Sequence, residues 1–214
     1  MLVSWVGLAI GLICRWKMIK KYLRFYESPL GARILDEEVE YLKGCLGGCQ
    51  KILDVGCGPG VFERELSGFD ITGVDSNRDM IREAKKACDN VFFVADAANL
   101  PFPDKSFDCV FYITSMEFID DFRKAIDETV RVLSDNGRVV VLLLNPKSEY
   151  YRKKVMGDGY ISRYVNRNTG EIRDYLGGWF DLEEEFILGI CGGEVFDTRE
   201  PEKAAVYVLR GVLR

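Results

Sequence analysis

The chain has 214 residues, of which 48% are hydrophobic, 29% charged and 12% aromatic. This composition is that of an ordinary globular protein and excludes a collagen-like repeat, long disorder and a polytopic membrane protein. A net charge of −5 argues against a general nucleic-acid binder. The chain has no histidine, so a Ser-His-Asp triad, a histidine-ligated metal and an imidazole acid or base are all excluded.

The cysteines indicate a reducing compartment. There are seven, an odd number, and their spacing is scattered, which is typical of reduced intracellular thiols rather than of a disulfide framework. We therefore expect a cytoplasmic protein. Cys45 and Cys49 form a C-x3-C pair, but the pair has no second partner pair, so no metal site is predicted.

The amino terminus is apolar and then basic. Residues 2–14 carry no charge, and residues 15–24 carry several lysines and arginines. A helix over residues 2–14 would be about 20 Å long, short of the ~30 Å hydrocarbon core of a bilayer. Three interpretations stay open: a helix packed on the domain or on an oligomer partner, a start set too early with Met18 as the initiator, and a short anchor that gives peripheral membrane contact.

The middle of the chain alternates short apolar runs with amphipathic helical patterns. The runs lack polar alternation, which is typical of parallel strands covered by helices on both faces. The predicted strands are 51–55, 69–75, 91–95, 107–113 and 138–144, and the predicted helices are 61–67, 79–88 and 120–133, the last capped at Asn136-Gly137.

The carboxyl-terminal part is predicted to complete the same domain. A helix is expected at 181–191, with Asp181 as its N-cap and Glu184 at the capping-box position. Two strands at 194–196 and 204–211 are expected to form a closing hairpin. The fold class is therefore α/β: a Rossmann-like doubly wound sheet, mostly parallel with a C-terminal antiparallel hairpin strand and helices on both faces.

A glycine-rich loop, Gly56-Cys57-Gly58-Pro59-Gly60, follows the first predicted strand, where ligands bind in such sheets. A dinucleotide loop would need a small residue at Val61, and a phosphate-binding loop needs Gly-Lys-Ser/Thr. Both features are missing, no basic residue lies near the loop before Arg64, and Asp54 and Asp75 end the first two strands. A ligand with a ribose, a cationic amino group and no phosphate fits these charges better than a dinucleotide does.

Residues 52–60 (ILDVGCGPG) resemble the first motif of the class I S-adenosylmethionine (SAM)-dependent methyltransferases. Residues 71–76 resemble the ribose-binding strand end of that family, and 94–102 resemble its adenine-contacting block. Residues 107–137 resemble its fourth strand, the next helix and the lead-in to the fifth strand. Four blocks in the right order make the resemblance specific, and it implies SAM as the cofactor.

The resemblance implies roles for residues around the loop. Gly56 and Gly58 would let the backbone cradle the methionine part and the ribose. Asp54 would orient the loop and the amino group of the cofactor. Asp75 would hold the ribose hydroxyls, with Ser76 beside it.

It also implies contacts at the two ends of the cofactor. Asp96 would accept from the adenine amino group, and the amide of Ala97 would donate to a ring nitrogen. Met80 would pack on the adenine or, alternatively, belong to the core. Tyr112 would line the methionine side, and Tyr26, in an aromatic segment before a Pro-x-Gly sequence, would cover the cofactor.

One departure from the family concerns catalysis. Many relatives carry a histidine shortly after the fourth strand, whereas this chain has Met116-Glu117-Phe118. An activity that needs that histidine is therefore not expected, and no catalytic residue is assigned. Glu117 is expected to be an exposed loop carboxylate, with a base or a substrate-orienting acid as the alternative.

The chain divides into four segments by pattern. Residues 1–49 are predicted to be an apolar and basic helical segment that caps the substrate side, and 50–146 to be the SAM-binding core. Residues 147–180 form a basic, tyrosine-rich insertion that is either a lid, gripping an anionic substrate or RNA, or a solvated insertion. Residues 181–214 supply the final helix and strands.

The sequence thus predicts a SAM-dependent methyltransferase that acts on a small-molecule acceptor. Its alternatives are an RNA methyltransferase and a non-catalytic subunit that binds the cofactor or a partner. The sequence makes no prediction of the acceptor or of the oligomeric state.

Overall fold

The computed structural model of the chain describes residues 19–155 and 169–214. The predictions for residues 2–14, and for the middle of the basic insertion at 156–168, lie outside the described residues. Within the described ranges, no helix combines the length and the apolar character that crossing a membrane requires.

In the part of the chain from residue 19 onward, two helices precede the sheet. Residues 19–27 are helical (α1), and α2 (Pro29–Leu46) follows after a break at Ser28. The Ser28 hydroxyl accepts a hydrogen bond from the Gly31 amide at 3.1 Å. Proline suits the first helical position, because the N–H that it lacks would have no partner within the helix there. The cap fixes the start of α2, so α1 and α2 form two separate helices.

The following part of the chain alternates strands and helices as predicted, and the described part of the insertion contains a π-helical turn and a helix. Its elements are β1 (Ile52–Val55), α3 (Val61–Glu65), β2 (Ile71–Asp75), α4 (Arg78–Ala87), β3 (Val91–Val94), β4 (Phe107–Ile113), a 3-10 turn (Met116–Phe118), α5 (Phe122–Val132), β5 (Leu133–Leu144), a π-helical turn (Tyr151–Val155) and α6 (Thr169–Leu176).

The last three strands are β6 (Phe180–Cys191), β7 (Glu194–Phe196) and β8 (Ala204–Leu213). The sheet has the order β3-β2-β1-β4-β5-β8-β6-β7. Neighbouring strands from β3 to β5 are parallel, and the pairs β5–β8, β8–β6 and β6–β7 are antiparallel. The predicted fold class is confirmed.

The predicted helix at 181–191 is wrong, because this segment is strand β6. Asp181 and Glu184 imitate a helix start, but β6 pairs with β8 along nearly its whole length, and the Phe186 ring stacks on the Tyr207 ring at 4.9 Å. Strands β7 and β8 are present, yet they do not form the predicted hairpin with each other. Each pairs with β6 instead, and β8 lies between β5 and β6.

The cap predicted at Asn136-Gly137 is also wrong. Helix α5 ends at Val132, and β5 already begins at Leu133. Asn136 has a φ of 58°, and the pairing of β4 with β5 shifts its register between Phe107 and Cys109. The turn signal therefore marks an irregularity in the strand rather than the end of the helix.

The sheet is covered on both faces. Along β4, Val110 and Tyr112 belong to one core cluster and Phe111 and Ile113 to the other, as alternate residues of a strand must. The first cluster includes residues of α5 and α6, and the second includes residues of α2 and α3. This layering leaves the carboxyl ends of the parallel strands as the edge at which a ligand site forms.

Candidate active site

The glycine loop after β1 is held from two sides. The amides of Gly56 and Cys57 both donate to the carbonyl of Val74 in β2, at 2.7 and 3.0 Å. On the other side, the hydroxyl of Ser115, just after β4, donates to the carbonyl of Val55 at 2.7 Å. These bonds tie the loop to the ends of β2 and β4, so its position follows directly from the order of the strands.

Gly56 and Gly58 differ in their surroundings. Both have positive φ values, 84° and 55°. A Cβ added at Gly56 would lie 2.4 Å from the Cβ of Ser115, whereas a Cβ at Gly58 would meet nothing within 4 Å. Gly56 is therefore required by packing, and the space beside Gly58 is open to a ligand.

We expect Gly56→Ala to lower the free energy of unfolding by about 2 kcal/mol, because it combines a left-handed conformation with an overlap that must move Ser115. Gly58→Ala carries only the conformational cost, about 1 kcal/mol. Urea unfolding of the two variants measures the difference. Equal losses in both would contradict the close approach of Ser115 to Gly56.

Asp75 ends β2 and faces the loop. One carboxylate oxygen accepts from the amide of Gly58 at 3.0 Å, and the other accepts from the amide of Asn77 at 2.7 Å. Burial raises the pKa of this carboxyl, although both backbone bonds oppose the rise. An ionised carboxylate offers about four acceptor positions, so the two backbone bonds leave capacity for two further donors.

Asp54, at the end of β1, is 2% exposed, and its Oδ1 has no hydrogen-bond partner. Burial raises its pKa well above the usual range, and the neighbouring carboxyl of Glu63 in α3 adds to the effect. Burial also raises the pKa of Glu63, to about 7. No cation of the described residues contributes to the pKa of Asp54 or Glu63, so a ligand with an ammonium group or another donor would satisfy these two buried acids.

The residues predicted to contact adenine lie at the same edge, beyond β2 and β3. The amide of Ala95 donates to the carbonyl of Asp75 at 3.1 Å, which brings the next residue, Asp96, beside β2. The exposed carboxylate of Asp96 accepts from the Ala98 amide at 2.9 Å, and Ala97 is buried.

Ser76 and Met80 are near this end as well. Ser76 is exposed directly after β2, and Met80 is half-buried in the first turn of α4. Their predicted contacts with the cofactor, like those of Asp96 and Ala97, stay predictions. These four residues all follow the carboxyl ends of β2 and β3, the same end of the sheet at which Asp75 lies.

The two tyrosines predicted for the site differ in position. The side chain of Tyr112 is 0% exposed, and its hydroxyl bonds with that of Thr129 in α5 at 2.6 Å. It belongs to the core on the α5 face, and its side chain is not available to a ligand. Tyr26 in α1 packs edge-to-face on Phe62 of α3 at 5.9 Å, above the start of the helix that follows the loop.

Glu117 is not the exposed loop carboxylate that the sequence suggests. It is 1% exposed, its Oε1 accepts from the Leu144 amide at 3.0 Å, and its Oε2 has no partner. Burial raises its pKa to about 7. The expectation fails because the turn packs against the end of β5, where the Leu144 amide binds the carboxylate.

Glu38 in α2 was not predicted to be functional. It is 3% exposed, its Oε2 has no hydrogen-bond partner, and burial together with the charge of Glu117 raises its pKa to about 8. A signal was present in the sequence, because Glu38 interrupts the apolar stripe formed by Ile34, Val39 and Leu42. An acid on the buried face of an amphipathic helix is a candidate functional residue.

Comparison with known proteins places this site in a family. Residues 53–141 match the family model described as a methyltransferase domain. The chain is 35% identical over 177 residues to O-methyltransferase resE of Aspergillus sclerotiorum, covering 70% of this chain and 67% of that one. The chain belongs to the class I SAM-dependent methyltransferases.

One further curated relative and one solved structure are also similar. A demethylmenaquinone methyltransferase of Thermotoga maritima is 37% identical over 112 residues, 50% of this chain and 49% of that one. The solved structure of a SAM-dependent methyltransferase, possible histamine N-methyltransferase, from the same organism superposes with a TM-score of 0.79 at 23% identity, covering 92% of this chain and 97% of that one. This chain spans only about half to two thirds of the first curated relatives, 49% and 66% of their lengths.

SAM is the cofactor of this family, and the described residues fit it. Asp75 keeps acceptor capacity for hydroxyl donors, Asp54 has an unpartnered acceptor atom for an ammonium group, and the space beside Gly58 is open. Within residues 19–155 and 169–214, no group of three or more acids and cysteines could hold a metal ion.

Proposed function

We propose that this chain transfers the methyl group of SAM to a small-molecule acceptor. The observation that carries the proposal is the combination of unused acceptor capacity at Asp75 and Asp54 with the open space beside Gly58. When bound, SAM supplies a methyl group already activated by the sulfonium centre. The protein therefore has to bind the cofactor and the acceptor, orient them and exclude water. Orientation can supply most of the rate acceleration.

The proposed binding roles follow the edge of the sheet. Asp96 and the Ala97 amide bind the adenine, with Met80 packed against it, and Asp75 holds the ribose hydroxyls beside Ser76. The loop at Gly56 and Gly58 cradles the ribose and methionine parts, and Asp54 orients the amino group. Tyr26 covers the site from α1. Placing adenine beyond β3 and β2 directs the reactive end of the cofactor toward β4.

A small molecule is favoured over RNA as the acceptor. Curated relatives are named for demethylmenaquinone methylation and for ubiquinone biosynthesis, which are reactions of small molecules. In the basic insertion, Lys153 pairs with Glu149 and Arg173 pairs with Asp174 at 2.6 Å. Both cations are thus paired with carboxylates, whereas an RNA-binding surface would present its cations to phosphates. We therefore propose that the insertion at 147–180 covers the substrate side of the site and does not bind RNA.

A binding and turnover experiment tests the function. We expect SAM and S-adenosylhomocysteine to bind at least tenfold more tightly than NAD in calorimetry, because the loop lacks phosphate-binding cations. Incubation with methyl-labelled SAM and separate pools of small-molecule acceptors and of RNA should label only small molecules. Labelled RNA would favour the RNA methyltransferase, and cofactor binding without turnover on any pool would favour a non-catalytic subunit.

A further inference from the structure

A second pair of buried carboxylates lies beside the proposed cofactor site. Glu38 comes from α2 and Glu117 from the turn after β4, and each has an Oε2 without a hydrogen-bond partner although both residues are nearly fully buried. Among the described residues, no cation contributes to the pKa of either group. Buried acids are costly unless a cation or a hydrogen-bond donor compensates them, and within residues 19–155 and 169–214 neither is found for these two oxygens, so the pair suits a ligand that supplies one.

Aromatic side chains surround the pair. Tyr22 and Tyr26 pack against the same core cluster as the buried face of α2 that carries Glu38, and Tyr150 lies in a small cluster with Phe118, the residue after Glu117. The rings of Tyr22 and Tyr26 are 5.1 Å apart, edge to face. Aromatic faces attract cations, most strongly where water is excluded, so the rings add to the preference of the carboxylates for a positive group.

The pair sits on the side of the loop away from the adenine end. Glu117 is two residues after Ser115, whose hydroxyl bonds to Val55 and whose Cβ lies against Gly56. Strand β2, which ends at Asp75, and strand β3, which ends two residues before Asp96, lie on the opposite side of β1 from β4. With adenine and ribose on the β2 and β3 side, the reactive end of the cofactor lies toward Glu117.

We propose that Glu38 and Glu117 form the acceptor subsite for a primary or secondary amine that binds as its ammonium ion, and that its nitrogen receives the methyl group. This rests on the proposed function. A phenolate or carboxylate acceptor would be repelled by the two acids, whereas an ammonium ion pairs with them and stacks on the rings.

The chemistry balances without a further reactant. The bound ammonium gives one proton to the Glu117 carboxylate, which leaves a neutral amine. The nitrogen lone pair then forms the new bond to the methyl carbon, the carbon–sulfur bond breaks with its electrons staying on sulfur, and the methylated amine carries the positive charge. Glu38 stays close to that charge throughout, so it is a positioning residue.

The test uses matched probes on the full chain saturated with S-adenosylhomocysteine. Ethylamine, butylamine and 2-phenylethylamine are each compared by calorimetry with the alcohol of the same skeleton at pH 7.5. We expect at least one amine to bind tenfold or more tightly than its alcohol. Binding should release protons, measured as a dependence of the enthalpy on the buffer, because the acids lose their protons to pair with the ammonium ion.

Variants assign the effect to the two acids. E38Q and E117Q are each expected to lower the affinity for the preferred amine at least tenfold, while the affinities for its alcohol and for S-adenosylhomocysteine stay unchanged. E40Q, on the exposed face of α2, is the matched control and should leave all three affinities unchanged. Circular dichroism checks the fold of each variant, and E38Q tests the subsite independently if E117Q fails to fold.

The possible failures are distinct. The amine proposal is overturned if no amine binds more tightly than its alcohol, or if both glutamine variants keep the preference. Either result leaves the proposed function standing as long as S-adenosylhomocysteine binds. Loss of S-adenosylhomocysteine binding by the wild-type chain would overturn the proposed function itself.

Discussion

Replacing Asp75 by alanine is expected to weaken the binding of SAM by about 2–4 kcal/mol, because two ribose hydroxyls lose charge-assisted hydrogen bonds of about 1.5–3 kcal/mol each. This corresponds to a loss of roughly 30- to 1000-fold in affinity. The carboxylate already accepts from Gly58 and Asn77, so the variant also removes a support of the loop. The loss of the ribose hydrogen bonds and the loss of the loop support both weaken the binding of SAM.

Calorimetric titration with SAM and with S-adenosylhomocysteine measures the loss. Asp70→Ala is the matched control, because it removes an exposed carboxylate just before the other end of β2 and should leave both affinities unchanged. Asp75→Asn should lie between wild type and alanine: one oxygen still accepts, while the amide NH2 faces one of the two backbone N–H groups. An alanine variant that binds within twofold of wild type shows that the ribose assignment is wrong.

The parallel half of the sheet could be predicted because its signals are local. An apolar run such as Ile52–Val55 cannot face water on either side, and the glycines after it mark the turn at which such strands end. The same segment carries the family motif, so the fold, the cofactor and the position of its loop come from one stretch of chain.

The antiparallel half could not be predicted in the same way. Strand β6 is defined by its pairing with β8, whose register joins residues such as Phe186 and Tyr207 across a long loop, and no local pattern encodes that partner. The signal of Asp181 and Glu184 was local and favoured a helix. Long-range pairing overrides such a weak capping preference.

The acceptor side of the site shows the same limit. The sequence predicts Glu117 in water because loop carboxylates are usually exposed, yet its carboxylate binds the Leu144 amide at the end of β5, which is distant in sequence. Tyr112 was placed at the ligand because it lies near the end of β4. The alternation of side chains along the strand directs it to Thr129 instead.

The pKa of Glu38 makes the stability of the ligand-free protein depend on pH in a direction opposite to that of most acids. Burial and the charge of Glu117 raise it from the ordinary value of 4.5 to about 8 in the folded chain. Between these pH values the folded state holds a proton that the unfolded state has lost. The free energy of unfolding therefore falls as the pH rises through this window, by about 1.4 kcal/mol for each unit of pKa difference.

Glu38→Gln should remove the contribution of residue 38 to this pH dependence, because the amide does not ionise. Relative to wild type, we expect the variant to gain about 4 kcal/mol of stability between pH 4.5 and pH 8.5, a gain that is complete only above the folded pKa. Glu117 shows a smaller version of the effect that ends near pH 7, the value to which burial raises its pKa. Asp54 and Glu63 are also raised, so the variant keeps part of the slope.

Urea unfolding at pH 5, 6.5 and 8.5 measures the change, with Glu40→Gln as the exposed control on the same helix. The control should follow wild type at each pH, whereas the curves of wild type and Glu38→Gln should separate as the pH rises. Parallel curves for wild type and Glu38→Gln would mean that Glu38 ionises at its ordinary pKa in the folded chain. The carboxylate would then be solvated, and it would bind a cationic ligand only weakly, because only a desolvated acid gains strongly from pairing with a cation.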